Sequence, residues 1–443
     1  MSVAADRTTA PRYLEAFEAA RREEPAWLAE RRRLAIERFS LLGFPTTKDE
    51  EYKYTNLARI ARGEWRPGSG GSLQPDALAA ATYEGLEGPR IVFVDGRFDP
   101  ERSTLSELPE GLEATSLAAL LATAPDALEG HLTRYADFEG RALTALNTAF
   151  FEDGAFIRVA EKAVIAEPLQ VVFVATGDAG TVTWPRVLIH AGRQSQVQVI
   201  ETYISAAEGA HWTNSVTEIV GEDAARVEHF QVQQESVEAF HTGRVEMLEE
   251  RSGYISTISL VLGAALTRND VRITLDDEGC ECALDGLVVI SGKQHVDHHT
   301  LIDHAKAHCN SHQLYKGVLD GSSRGVFNGK IIVRQDAQKT DAIQNNKNLL
   351  LSTKAEIDTK PQLEIDANDV RCTHGATIGQ LDKDALFYLQ ARGIGAGEAR
   401  SLLVYAFAAD LLERITVEPL KRHLERLLMR SLGRDSAAQE VSE

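Results

Sequence analysis

Cys372 and His374, in the run Cys372-Thr373-His374-Gly375, are residues whose types and spacing could do chemistry together. On a strand, the i, i+2 spacing aims a thiol and an imidazole to one side, offering one soft and one borderline ligand to iron or zinc. Two donors do not close a four-coordinate site. Sulfide, solvent or a second chain must add the others, which describes a transient site at an interface. The plain alternative is a buried cysteine and a hydrogen-bonded histidine where a sheet gives way to a helix.

Other groups invite weaker readings. His295, His298, His299, His304, His308 and His312 crowd one segment, and on a helix the last three would share a face with Cys309 nearby, as a zinc site requires. The segment is flanked by β-type runs, however, so polar ladder or interface histidines are the expected role. Cys280 and Cys282 would share a strand face as buried small hydrophobes. Asp276, Asp277, Asp297 and Asp303 could supply paired acids to a polysaccharide-cleaving enzyme, although several suit turns better. Gly325-Val326-Phe327-Asn328-Gly329-Lys330 has too few residues between its glycines, and Ile331 where a phosphate loop needs Ser or Thr. A turn at Asn328-Gly329 accounts for it better.

The elements that must hold these groups follow from hydrophobic period. Residues 12–39 alternate at helical spacing and Gly43-Phe44-Pro45 ends the run, opening an N-terminal, mainly helical domain over 1–153 that includes a Gly/Ser-rich flexible stretch at Gly68 to Ser72. From Gly154 to Leu381 short β-type runs such as Val171–Val174, Val227–Val232, Ile255–Leu262 and Leu287–Ile290 follow one another, many with period-two alternation. Turns are expected at Gly221-Glu222, Ser252-Gly253, Arg268-Asn269-Asp270, Asp277-Glu278-Gly279, Asp320-Gly321 and Asn328-Gly329. One extended all-β unit over 154–381 fits; sandwich, barrel and solenoid stay open, because no strict repeat is visible. Over 382–432 the helical period returns, with Asp382 as N-cap, a stripe through Ala399, Leu402, Leu403, Ala406, Phe407 and Leu411, and a third helix from Pro419. Residues 433–443 read as a flexible tail.

Composition narrows the function. With 47 Lys and Arg against 66 Asp and Glu, the 443-residue chain carries a formal charge of −19, which argues against nucleic acid as a partner. No apolar run is long enough to span a bilayer and residues 1–11 lack a secretory pattern, so a cytoplasmic location away from membranes is expected, with the four cysteines reduced.

The run Val370-Arg371-Cys372-Thr373-His374-Gly375-Ala376-Thr377-Ile378-Gly379, continuing through Leu386-Phe387-Tyr388-Leu389-Gln390-Ala391-Arg392-Gly393-Ile394 to Tyr405-Ala406-Phe407-Ala408, resembles the C-terminal signature of the SufB/SufD family of iron-sulfur cluster assembly proteins. Glu51-Tyr52-Lys53-Tyr54-Thr55, Tyr315-Lys316-Gly317-Val318-Leu319, Phe327-Asn328-Gly329-Lys330 and Gln344-Asn345-Asn346-Lys347-Asn348-Leu349-Leu350 agree with it. The SufB branch typically carries glutamate directly after the corresponding histidine and an N-terminal cysteine cluster. Here Gly375 follows His374 and no cysteine precedes Cys280, which favours the SufD branch.

The resemblance implies a right-handed parallel β-helix core flanked by N- and C-terminal helical domains. It implies a non-catalytic scaffold role in a SufBCD complex that acquires iron and builds clusters for acceptor proteins, with ATP hydrolysed by a SufC subunit. A SufB-like partner would join through the β-helix and the SufC-like ATPase through the C-terminal helices, where Phe387, Tyr388, Leu402, Tyr405 and Phe407 are the candidate contacts; a homodimer could form in isolation. Cys372 and His374 match the family's interface pair, so iron or a nascent cluster would be held transiently, with donors from a partner chain. A polysaccharide-active β-helix enzyme and a self-sufficient metal-binding protein are the alternatives.

Overall fold

The computed structural model describes residues 9–440 except 21, 72, 74–76, 79 and 80; in its last helix, side chains are described up to Met429. Ser72, at the end of the expected flexible stretch, and residues 441–443 of the expected tail lie outside them. The architecture is mainly β: a parallel solenoid of about eight turns with helices at both ends of the chain. The first sheet runs from Gly154–Val159 through Arg186–Ala191, Trp212–Gly221, Phe240–Glu249, Leu266–Leu275, His295–His304 and Arg324–Val333 to Glu356–Ile365. The second runs from Leu169–Ala175 through Gln196–Ser205, Arg226–Gln234, Tyr254–Val261, Glu281–Ile290, Asn310–Leu319 and Asp341–Leu350 to Arg371–Gln380.

In-register pairing turns each inward side chain into one member of a column. Val197, Val227, Ile255, Cys282, Ser311, Ala342 and Cys372 stack in this way, one per turn. Two residues further along, Val199, His229, Thr257, Leu284, Gln313, Gln344 and His374 form the next column. The first column lies in the apolar core of the bore and the second makes part of the bore polar.

The repeat is carried by corners rather than by sequence identity. Lys162, Gln194, Ala224, Ser252, Gly279, His308 and Lys339 all have positive φ, between 53° and 74°. From Gln194 onward each stands two residues before a strand of the second sheet, and each hands its N–H to a carbonyl of the next corner. Six of the seven are not glycine, so the pattern is invisible to a search for Gly turns.

Several expectations change. Residues 1–153 hold the helices Ala10–Ala19, Ala26–Leu42 and Ala142–Phe150, but also the strands Arg90–Val94 and Leu112–Ser116. Arg90–Val94 joins the second sheet in parallel beside Leu169–Ala175, and Leu112–Ser116 pairs antiparallel with Gly154–Val159. Ile91-Val92-Phe93-Val94 is an apolar, partly β-branched run buried on both faces, which a strand satisfies better than a helix. Arg268-Asn269-Asp270 and Asn328-Gly329 are not turns; they lie inside Leu266–Leu275 and Arg324–Val333. Arg268 is buried by its ion pairs, and Gly329 makes room in the narrow bore, where a Cβ would stand 2.5 Å from Gln344 Nε2 and 2.7 Å from the Phe327 ring. The tail read from Gly433 continues as helix, within Glu418–Glu440.

Helical segments cover the outer faces. Phe39, Phe44 and Leu57 pack on Trp212, Phe240 and Leu266 of the first sheet, with Trp65 against them. Val404, Ala408, Leu411, Leu420, Leu424 and Leu428 pack on Ile200, Phe230, Ile258, Leu287, Leu314 and Val318 of the second.

Candidate functional site

Among the described residues, the strands Glu356–Ile365 and Arg371–Gln380 end their sheets: each pairs only with the strand one turn earlier. Their side chains are accordingly open, with Ile378 52% and Ile365 40% exposed. The other end of the solenoid is covered by Arg90–Val94 and Leu112–Ser116. A row of unpaired N–H and C=O groups with apolar side chains beside it is a ready template for another chain.

Cys372 and His374 sit on that last strand, in register with Ala342 and Gln344. Cys372 is half-buried and packs against the bore, and burial, with Asp341 nearby, pushes its thiol above the usual range. His374 is exposed. Beneath it Gln344 Nε2 donates to Gln313 Oε1 at 2.6 Å, while Gln344 Oε1 is buried without a partner among the described groups. The strand thus brings a shielded thiol and an open imidazole to one side, at the rim of a polar column. Gly375 points the other way, and a Cβ there would meet only Asn345 Oδ1, at 3.5 Å.

Directly after Leu381, Asp382 caps the helix Lys383–Ala391, its Oδ1 accepting from the N–H groups of Asp384 at 2.8 Å and Ala385 at 3.2 Å. Phe387 and Tyr388 on this helix are 72% and 56% exposed. In the helix Ala396–Leu412 the buried residues are Ala399, Ser401, Val404, Ala408, Leu411 and Leu412: the expected stripe holds at Ala399 and Leu411, but between them the buried face is rotated, with Leu403 and Phe407 half-buried and Leu402 and Ala406 exposed. Ion pairs set this rotation: Arg400 to Asp320 at 2.6 Å, Arg414, just beyond the helix, to Asp285 at 2.9 Å, and Asp410 to Lys316. Tyr405 donates to Glu425 Oε1 at 2.9 Å, and the Phe407 ring lies 4.7 Å from Lys316 Nζ, so both take part in contacts within the chain.

The histidine-rich segment does not converge. His295–His304 is a strand, so its residues alternate, and His308 and His312 are exposed on a corner and the following strand. His295 meets Thr55 Oγ1 at 2.8 Å, and His298, whose pKa burial lowers to about 4, meets Ser259 Oγ at 3.1 Å. His299 lies between Glu51 and Asp297, and His304 meets Ser311 at 2.9 Å. Among the described residues, no group of three or more His, Cys, Asp or Glu could hold a metal ion. The acids are committed elsewhere: Asp297 to Arg268 at 2.7 Å, Asp303 to Arg334 at 2.7 Å, and Asp277 to Arg251 at 3.0 Å, with Asp276 exposed beside it.

Sequence reasoning missed Arg268. Its guanidinium pairs with Asp270 and Asp297, donates to the Glu51 carbonyl at 2.7 Å and lies 4.5 Å from the Tyr52 ring centroid, while Glu50 pairs with Lys360 at 2.7 Å. These contacts fasten the segment Glu50 to Thr55 onto the first sheet. An arginine directly before Asn-Asp looks like turn chemistry, which is what hid it.

The chain matches two family models: the SUF system FeS cluster assembly SufBD core domain over residues 173–407, and the SufBD protein N-terminal region over residues 8–171. It is 32% identical over 387 residues to the iron-sulfur cluster assembly protein SufD of Escherichia coli, covering 86% of this chain and 88% of that protein. An iron-sulfur cluster assembly SufBD family protein of Synechocystis is 31% identical over 412 residues, 90% of each chain. SufD of Bacillus subtilis is 28% identical over 430 residues, 95% of this chain and 97% of its own. Among the described residues, no helix is long and apolar enough to cross a membrane. With the solenoid, the helices at both ends and these matches together, the chain belongs to the SufB/SufD family of iron-sulfur cluster assembly proteins.

Proposed function

We propose that this chain is a non-catalytic scaffold subunit whose open solenoid end joins a SufB-like chain, and that His374, with Cys372 beside it, helps hold iron or a nascent cluster at that junction. The observation that carries the reading is that the two donors stand on one side of a terminal strand whose outer edge is unpaired among the described residues. A partner solenoid stacking there would continue the hydrogen-bond ladder and cover Ile365 and Ile378. It would also bring its own donors against His374, and a four-coordinate ion takes the donors it lacks from that chain, from sulfide or from solvent. The cluster is cargo here, assembled and passed on.

Phe387 and Tyr388, apolar and exposed on a short capped helix, are the proposed contact for a SufC-like ATPase. Dimerisation of two such ATPases on ATP would displace the helical domains and shift the subunit arrangement between two states. The test is co-expression with SufB- and SufC-like chains, followed by iron and sulfide analysis of the purified assembly. His374→Ala is expected to lower retained iron without dissolving the assembly, and an unchanged cluster yield would remove His374 from the mechanism.

A further inference from the structure

Away from the open end, two of the four cysteines are stacked on neighbouring turns. Cys280 and Cys309 directly precede the register pair Glu281 and Asn310, and the Asn310 N–H donates to the Cys280 carbonyl at 2.9 Å. Neighbouring strands lie ~4.8 Å apart, inside the Cα separation that a disulfide spans. Both sulfurs lie against one oxygen: Cys280 Sγ is 3.1 Å and Cys309 Sγ 3.3 Å from the Asp277 carbonyl. Both thiols are free and buried, beneath the corners Asp277–Gly279 and Lys306–His308, whose Glu278, Gly279, Lys306 and His308 are exposed. Cys282, on the same side of its strand, stacks on Ser311 and has no sulfur neighbour in the next turn.

We infer that Cys280 and Cys309 form a peroxide-sensitive dithiol that closes reversibly into a disulfide tying two neighbouring turns of the solenoid. The two sulfurs share the Asp277 carbonyl, so loss of a proton from either one leaves a thiolate beside the remaining thiol. That thiolate attacks one oxygen of hydrogen peroxide, expelling hydroxide and becoming a sulfenic acid. The other sulfur of the pair then attacks the oxidised one, its proton leaves with the displaced hydroxyl as water, and the S–S bond forms. The two thiols give up two electrons, and the peroxide is reduced to water and hydroxide.

The test treats the full chain with a modest excess of hydrogen peroxide, then alkylates it under denaturing conditions and maps the tryptic peptides by mass spectrometry. Cleavage after Lys293 and Lys306 puts the two cysteines on different peptides. Fragmentation distinguishes Cys280 from Cys282. The expected result is a Cys280–Cys309 cross-linked pair, separated by dithiothreitol, with Cys282 and Cys372 still alkylated. Cys280→Ser and Cys309→Ser should each abolish the link, and the wild-type map decides the matter even if a variant fails to fold. Full alkylation of Cys309 after peroxide, oxidation of Cys309 to an acid without a cross-link, or a link through Cys282 would overturn the inference.

Discussion

Replacing Arg268 by Met tests whether the ion network under the N-terminal segment holds it to the solenoid. The side chain is 2% exposed, and the substitution leaves Asp270 and Asp297 without their cation while roughly keeping its volume. Breaking a buried pair from one side costs ~3–5 kcal/mol, because the orphaned charge stays desolvated. The carboxylates give a second route to the size. Burial alone would raise Asp270, yet Arg268, with His299, holds it down to about 2. That is roughly two units below the ordinary value at ~1.4 kcal/mol each, or ~2–3 kcal/mol from one carboxylate. A depressed folded pKa stabilises above the unfolded value near ~4 and loses that stabilisation as pH falls through the folded value near ~2. In the variant His299, Arg244 and Thr55 still favour the ionised carboxylates, but their principal cation is gone and they shift upward, so the deficit is full at neutral pH and shrinks as pH falls through ~4 toward ~2. Melting followed by circular dichroism at pH 4 and pH 8 reads this out. The expected fall is on the order of 5 °C at pH 8 and clearly less at pH 4. An equal deficit at both pH values, or none, would refute the reasoning.

Other substitutions probe separate links. Ala224 is exposed at φ 55°, where a non-glycine residue costs ~1–2 kcal/mol, more than glycine loses in chain entropy. Ala224→Gly should therefore stabilise by roughly 0.5–1 kcal/mol and Ala224→Val should destabilise, checked by urea midpoints. Lys316→Met removes the ion pair to Asp410 and the hydrogen bond to the Phe407 carbonyl. Faster hydrogen exchange in Ala396–Leu412 with the solenoid unaffected is expected. Gly375→Glu should change the melting temperature little, since its Cβ meets Asn345 at ordinary contact distance; a large loss would show that packing keeps the glycine.

The strands were legible where burial imposes a pattern. Val227–Val232 and Leu287–Ile290 fall inside observed strands because both of their faces are covered: Val227, Val288 and Ile290 lie in clusters on one side, and Phe230, Val232 and Leu287 pack in the cluster under the C-terminal helices. The solenoid itself was not legible from spacing, because its repeat lives in backbone conformation at corners filled by Lys162, Gln194, Ala224, Ser252 and His308, which share no side-chain chemistry. The same holds for Arg268-Asn269-Asp270: polar residues that suggest a turn locally are held in a strand by partners far away in sequence, Asp297 and Glu51. For Cys372 and His374, the spacing that aims both side chains one way was visible. That their strand has a bare outer edge was not, since an edge is a property of the whole sheet.

The connections of the C-terminal helices determine how a pull on them reaches the candidate site. Only Leu381 and Asp382 separate the strand carrying His374 from the helix Lys383–Ala391, none of whose residues is buried. That helix alone would be a weak lever, free to tilt without moving the sheet. The helix Ala396–Leu412 and the turn after it are fastened differently, through Asp410 to Lys316 and through Arg414 to Asp285, on strands two and three turns inside the open end. Load applied there enters the body of the solenoid below the terminal strand, and the hydrogen-bonded ladder carries Cys372 and His374 along with it. That ladder pairs ten residues in register and is backed by the packed bore, so the strand that bears His374 moves with the turn beneath it. In the proposed assembly, movement of the helices would displace the whole stack against its neighbour and leave the strand that bears His374 intact.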